Sequence, residues 1–130
     1  MSTNLNITYI WIDDVRPDGA GIYELHNFDC CVARSVNQAK KIIRRAEENG
    51  QNRFILDLDH DFGDYAVDGG DGYKLVEWLI ETGRNTNDYF VCCHSMNPVG
   101  KKHILGLRDR YWPPFDEEDF FRNNEEDDYD

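Results

Sequence analysis

Acidic side chains crowd the short stretch "LDLDHD" at residues 56–61, where an apolar run turns polar. A second acidic pair, "DD" at residues 13–14, ends the run "ITYIWI" in the same way. Carboxylates repel one another, so such clusters favour a bound cation, and carboxylate oxygens are the ligands that Mg²⁺ prefers. Taken singly, either cluster is also typical of loop solvation or helix capping. The predicted ligands of Mg²⁺ or Mn²⁺ are Asp13, Asp14, Asp59 and Asp61.

A third polar cluster, "HSMN" at residues 94–97, follows the apolar run "YFVCC". Asn97 and Pro98 are typical of the first turn of a helix, whose backbone amides and dipole favour an anion. A metal site beside an anion site predicts a phosphorylated ligand. The predicted phosphate-binding residues are Arg16, Ser95, Asn97 and Lys101. Asn97 as a plain helix cap and Arg16 as an ordinary surface arginine remain the alternatives.

Proton transfer and nucleophilic attack need further groups, and the clusters contain them. The predicted catalytic residues are Asp59, His60 and His94. A histidine can act as general acid or base near neutral pH, although a structural role is the commoner one. Asp59 could hold the metal or attack the phosphorus itself. Asp57 lies two residues before Asp59 on the same strand face, so we expect it to support the site from below.

The segments between these clusters predict alternating strands and helices. Strands are predicted at 7–12, 29–34, 53–58 and 89–95, from β-branched and aromatic runs. Helices are predicted from Ser35 to Gly50, over 73–83 and from Pro98 towards Tyr111, from apolar residues at helical spacing. This alternation favours an open, mostly parallel α/β sheet flanked by helices, with ligands at the carboxyl ends of its strands. The interval 18–28 has a weak helical pattern and predicts a loop-like crossover.

Length and charge narrow the classes of function. The 130 residues suit one domain, predicted at 1–112, followed by an acidic tail at 113–130. Residues 116–130 hold nine acids and one base, so the tail carries −8 of the net charge of −12. Broad or sequence-specific DNA binding is not expected with this balance, whereas the tail could recruit a protein partner. Without a long apolar run or a signal peptide, we expect no membrane contact and a cytoplasmic protein.

Several better-defined motifs fail. The cysteine pairs at 30–31 and 92–93 lie in apolar runs whose neighbouring side chains point to opposite faces, which predicts buried reduced thiols rather than a metal clamp. The acids of 57–61 match the start of a calcium loop, but its sixth position is Phe62 and not glycine. No glycine-rich phosphate loop ending in Lys-Ser or Lys-Thr occurs, which argues against a nucleoside triphosphatase.

The layout resembles the receiver domains of two-component signalling, which have a flavodoxin-like fold. That resemblance implies that Asp13 and Asp14 match the metal-binding pair, Asp59 the phosphate acceptor and Ser95 the switch hydroxyl. The chain departs from a full receiver because it lacks a clear first helix between Asp14 and Asp29 and a fifth strand ending in lysine-proline. A truncated receiver that signals by phosphorylation of Asp59 is therefore one alternative.

A closer resemblance is to the cyclic-phosphate-processing receiver family. Its motifs match "WIDDVRP" (11–17), "LDHDFG" (58–63), "GGDGYKLVEWL" (69–79) and "HSMNPVG" (94–100), and the likeness covers about residues 9–107. It implies action on cyclic phosphates such as RNA 2′,3′-cyclic ends. The residues implied to line the site are Asp13, Asp14, Arg16, Asp59, His60, Asp61, His94, Ser95 and Asn97.

The predicted function is thus metal-dependent hydrolysis or ring opening of a cyclic or terminal phosphate. Its predicted partner is a cyclic nucleotide or an RNA end. A module that binds a cyclic nucleotide or a partner protein without turnover is the other alternative.

Overall fold

The computed structural model of the protein describes residues 7–13, 29–84, 88–112 and 118. Its elements, in chain order, are β1 (Ile7–Ile12), β2 (Asp29–Ala33), α1 (Val36–Glu48), β3 (Arg53–Leu58), a 3₁₀ turn (Gly63–Val67), α2 (Gly72–Glu81), β4 (Tyr89–Cys93) and α3 (Pro98–Tyr111). The candidate residues Asp14 and Arg16 lie outside the described residues, as do the interval 18–28 and all of the predicted tail except Glu118.

The four strands form one parallel sheet in the order β2-β1-β3-β4. Together with the three helices, this sheet confirms the predicted receiver-like α/β fold. In the register of the sheet, Ile12 pairs with Leu58 and Leu58 pairs with Cys93. The next residue of each strand, Asp13, Asp59 and His94, therefore reaches the same edge of the sheet.

Backbone hydrogen bonds extend the ladder to these three residues. The amide of Asp13 donates to the carbonyl of Ala33 at 3.0 Å, and that of Asp59 donates to Ile12 at 2.9 Å. The amide of His94 donates to the carbonyl of Leu58 at 3.1 Å. Because neighbouring strands lie about 4.8 Å apart, three chemically active side chains begin close together on adjacent strands.

The three helices pack against one face of the sheet. The larger apolar cluster joins residues of α1, α2 and α3 to the strand residues Ile10, Ile12, Leu56, Leu58 and Val91. The opposite face carries a second cluster that, within the described residues, comes from strands only: Ile7, Tyr9, Trp11 and Ile55, with Cys30, Val32, Phe90 and Cys92 beside them. The sequence predicted a sheet flanked by helices, and the described helices lie on one face.

The cysteines follow the predicted alternation. Cys31 and Cys93 belong to the helix-facing cluster, whereas Cys30 and Cys92 belong to the other. All four are free thiols. Burial raises the pKa of Cys31 and Cys93, and burial with the nearby charge of Asp57 raises the pKa of Cys92 to about 12. These three thiols are therefore poor nucleophiles, as expected of structural cysteines.

Several element ends differ from the predicted ones. Strands β2 and β4 end at Ala33 and Cys93, before the polar residues that the sequence patterns had included. The Ser35 side chain accepts from the amide of Gln38 at 3.1 Å and caps α1, so the chain has left the sheet by that point. Helix α2 runs from Gly72 to Glu81. Among the described residues, no helix is both long and apolar enough to span a lipid bilayer.

An ion pair joins Glu47, near the carboxyl end of α1, to Arg84, just after the carboxyl end of α2. Arg84 donates to both carboxylate oxygens of Glu47, at 2.9 and 2.8 Å, and its guanidinium lies 4.2 Å from the ring centroid of Trp78. Tyr89 at the start of β4 also donates to Glu47. The hydrogen bond from Arg84 is the main reason that the pKa of Glu47 is lowered. A partly buried, two-pronged pair of this kind stabilises more than an exposed one.

We predict that Glu47→Gln lowers the free energy of unfolding by about 1–3 kcal/mol at neutral pH, since charged hydrogen bonds are lost. The matched control is Glu48→Gln, at the exposed neighbouring position, which should change it by less than about 0.5 kcal/mol. A lowered folded-state pKa contributes stability above the unfolded pKa and loses it as the pH falls through the folded one. Denaturant titrations should therefore show the wild-type advantage over Glu47→Gln shrinking below about pH 4.5. An advantage that is constant down to pH 2 would contradict this account.

Candidate functional site

His94 connects three strands at the carboxyl edge of the sheet. Its Nε2 lies 2.8 Å from Oδ2 of Asp13, and its Nδ1 lies 2.8 Å from Oδ1 of Asp57. Tyr9 donates to the other oxygen of Asp57 at 2.6 Å. The imidazole stacks on Trp11, with ring centroids 3.8 Å apart and planes 6° apart. We call Tyr9, Trp11, Asp13, Asp57 and His94 the imidazolium cluster.

The charges of this cluster are coupled. Asp13 is completely buried, and the side chains of His94 and Asp57 are about 13% and 15% exposed. Burial lowers the pKa of His94, but the hydrogen bonds and charges of Asp57 and Asp13 outweigh it, so its pKa is raised. The raised pKa favours the protonated ring, which would donate from both nitrogens to the two carboxylates. In that protonation state the three groups together carry a net charge of −1.

Asp57 has a larger part than the sequence predicted. It was expected to support the site from below, and it holds both Tyr9 and His94. In the register Asp57 pairs with Trp11 and with Cys92, so its side chain faces the strand-only cluster. The sequence feature that indicates this role is the charge of Asp57 inside an apolar strand, because a buried charge needs a partner. The identity of that partner follows only from the register.

His60 forms a second polar group, on the loop after β3. Its Nδ1 lies 2.7 Å from Oδ1 of Asp61, and Asn97 donates to the other oxygen of Asp61 at 3.2 Å. The hydrogen bond from His60, with that from Asn97, lowers the pKa of Asp61. In the tautomer that donates from Nδ1 to this carboxylate, Nε2 is left as an acceptor. An acid that orients a histidine in this way is the arrangement of a general base.

Two glycines let this loop pass between the helix starts. A Cβ on Gly72 would lie 2.1 Å from the carbonyl oxygen of Asp59, and a Cβ on Gly100 would lie 2.4 Å from Cγ of His60. The amide of Gly72 also donates to the carbonyl of His60 at 2.8 Å. The first turns of α2 and α3 therefore clamp the loop from two sides. The sequence motifs contain both glycines, but this packing reason is visible only in three dimensions.

The backbone amides in the first turn of α3 donate hydrogen bonds to the residue that caps the helix. The Asn97 side chain accepts from the amides of Val99 and Gly100, both at 3.1 Å. The amide of Asn97 donates to Oγ of Ser95 at 3.0 Å. Asn97 is thus a helix cap, which was the alternative to its predicted role in phosphate binding. Phosphate binding by Ser95, Asn97 and Lys101 stays a prediction, and an anion there would meet side chains and the helix dipole rather than free amides.

The predicted metal ligands are placed as follows. Asp13 accepts from His94, Asp61 accepts from His60 and Asn97, and Asp59 accepts from the amide of His60 at 2.8 Å. Within the described residues, no three of the His, Cys, Asp and Glu side chains are arranged to hold a metal ion. The carboxylate chemistry suits Mg²⁺, and the fourth predicted ligand, Asp14, lies outside the described residues. Metal binding therefore stays a prediction.

We predict that Gly100→Ala destabilises the protein by about 1–3 kcal/mol, because the new methyl group would collide with the His60 ring. Gly106→Ala is the matched control in the same helix, where an added Cβ meets nothing within 4 Å. It should stabilise by about 0.5–1 kcal/mol through helix propensity. Thermal unfolding measures both changes, and NMR of the His60 ring protons measures the displacement. Equal effects of the two substitutions would contradict the clamp.

Known protein families offer a match that includes all the described residues of this edge of the sheet. A family model described as "Cyclic-phosphate processing Receiver domain" matches residues 8–110, from β1 into α3. Comparison with curated proteins and with solved structures gave no match. The family's name relates the chain to the processing of cyclic phosphates. With most of its 130 residues matched, the chain belongs to the cyclic-phosphate processing receiver domain family.

Proposed function

We propose that this protein opens or hydrolyses a cyclic phosphate at the carboxyl edge of the sheet, with an RNA 2′,3′-cyclic end as the model substrate. The observation that carries the proposal is the His60–Asp61 pair. It is held against Asn97 at the start of α3 and lies one residue from Asp59. Family membership supplies the class of ligand, and this pair supplies a group able to move a proton.

The two histidines then have different roles. Both ring nitrogens of His94 are engaged by carboxylates, so it has no nitrogen free to accept a proton. His94 is a positioning residue that balances the charge of Asp13 and Asp57. His60 keeps Nε2 as an acceptor and takes a proton from the water that attacks phosphorus. As the ring P–O bond breaks, the same imidazole returns a proton to the leaving hydroxyl.

Side chains of α3 and of the residues just before it would hold the remaining phosphate oxygens. Ser95 and Asn97 precede the helix, and Lys101 lies exposed one turn into it. Arg16 is assigned to the same end by the sequence alone. A lysine held near a helix start adds to the positive dipole there.

We further propose Mg²⁺ or Mn²⁺ as the cofactor, held by Asp13 and Asp59 with Asp14, while Asp61 is committed to His60. The support is chemical: Asp13 and Asp59 follow neighbouring strands, and the −1 charge of the imidazolium cluster attracts a cation. When bound, such an ion polarises a phosphoryl oxygen.

A second candidate function is binding without turnover. Two observations favour it. Both ring nitrogens of His94 are already hydrogen-bonded, and so are the backbone amides of Asn97, Val99 and Gly100 at the start of α3. A site whose groups are already satisfied can recognise a ligand without reacting with it. The acidic tail as a segment that binds a partner protein stays a proposal beside this one.

The test uses a short RNA that ends in a 2′,3′-cyclic phosphate, with mass spectrometry of the RNA end. We expect the mass to rise by one water in Mg²⁺ or Mn²⁺ and to stay unchanged in EDTA. His60→Gln should lower the rate by about 100-fold or more, since it removes the general base, and Asp59→Asn should abolish it. His94→Asn should act mainly through stability.

Asp64→Asn is the control for Asp59→Asn, because Asp64 is an exposed acid on the same loop. It should leave the rate unchanged. Bound but intact RNA would establish the second candidate function, and turnover that survives His60→Gln would refute the assigned proton transfer.

A further inference from the structure

The ring of His60, the proposed catalytic group, lies close to two further aromatic rings. Tyr73 in the first turn of α2 and His103 in the second turn of α3 have ring centroids 4.9 Å apart. The His60 ring lies 6.3 Å from Tyr73 and 5.9 Å from His103. We call these three residues the ring platform. None of the sequence patterns assigned a role to Tyr73 or His103.

The platform is anchored on its inner side and open on its outer side. The His60 ring is fixed against the backbone of Gly100 and through Nδ1 to Asp61. Tyr73 is half-buried and packs against the helix-facing core, whereas His103 is exposed. Packing of α2 on α3 explains the contact between the rings. It does not require an exposed histidine at its outer end.

Charge around the platform suits a ligand that combines a flat ring with a phosphate. Nζ of Lys74 lies 5.3 Å from the Tyr73 ring centroid and 3.6 Å from Oε1 of Glu77, and Lys101 and Lys102 are exposed on α3. Both oxygens of Asp61 are occupied by His60 and Asn97. An anion approaching the platform therefore meets lysine side chains, and the carboxylates of Asp61 and Glu77 are already paired.

We propose that Tyr73 and His103 of the ring platform stack the base of a nucleotide whose cyclic phosphate lies at His60. This inference rests on the proposed function and names its substrate class as nucleotides rather than small sugar or polyol phosphates. Tyrosine and histidine rings are common partners for unstacked bases, and each such contact is worth about 1–3 kcal/mol. The stacking is tolerant of base identity, so it selects for the presence of a base and not for one sequence.

The test compares two probes on the full chain, adenosine 2′,3′-cyclic phosphate and glycerol 1,2-cyclic phosphate. Affinity is measured from the shifts of the Tyr73 and His103 ring protons on mixing, and ring opening is followed in the same samples by ³¹P NMR. We expect the adenosine probe to bind about 10-fold tighter or more. Tyr73→Leu should remove that preference, and Tyr73→Phe should retain it.

Tyr111→Leu is the matched control, because Tyr111 is an exposed tyrosine at the far end of α3 with Arg110 near its ring. It should change neither affinity. His103→Ala, at an exposed position, should lower the preference without unfolding the protein and covers the case in which Tyr73→Leu fails to fold.

Equal affinity for the two probes, loss of both affinities together in Tyr73→Leu, or no binding of either probe would overturn the inference. Opening of both probes at equal rates would leave the proposed function standing and refute the ring platform. Selective binding of the adenosine probe without opening would do the reverse, retaining the platform and refuting catalysis.

Discussion

The burial of Asp13 is the constraint on which the rest of this edge depends. A carboxylate removed from water needs a cation or several donors, because an uncompensated buried charge costs several kcal/mol. His94 supplies the cation and brings Asp57, Tyr9 and Trp11 with it. The ends of β1, β3 and β4 are therefore tied by one imidazole as well as by the sheet ladder. Removal of this ring would leave two carboxylates facing one another on neighbouring strands.

Because of this constraint, charge balance and proton transfer, which the sequence had assigned to one site, belong to two groups of residues. The imidazolium cluster lies on the face of the strand-only apolar cluster, and both ring nitrogens of its histidine are engaged by carboxylates. The His60–Asp61 pair lies between the starts of α2 and α3, where two glycines admit the loop. Asp59 is the residue between them along the edge. In the proposed chemistry, His94 on one side holds the carboxylates in place, and His60 on the other side transfers the proton.

The sequence predicted what depends on local pattern. Alternating apolar runs predicted the parallel sheet, and the polar residues after each run placed Asp13, Asp59 and His94 at one edge, as the register shows. It could not predict which carboxylates His94 would contact, since that depends on how three strands align and which face each side chain takes. Nor could it predict that Asn97 would use the amides of α3 for its own cap. The contact between Tyr73 and His103 joins two helices and likewise has no local signal.

The geometry points to His94 as an imidazolium held between two carboxylates, and the protonation of its ring can be measured. Nitrogen-15 and proton NMR of the His94 side chain, followed from pH 5 to 9, report how many ring nitrogens carry a proton. We expect protons on both nitrogens at neutral pH and a pKa above the ordinary 6.5. A neutral ring at pH 7, with its missing proton on Asp13, would contradict it and would restore His94 as a candidate general base.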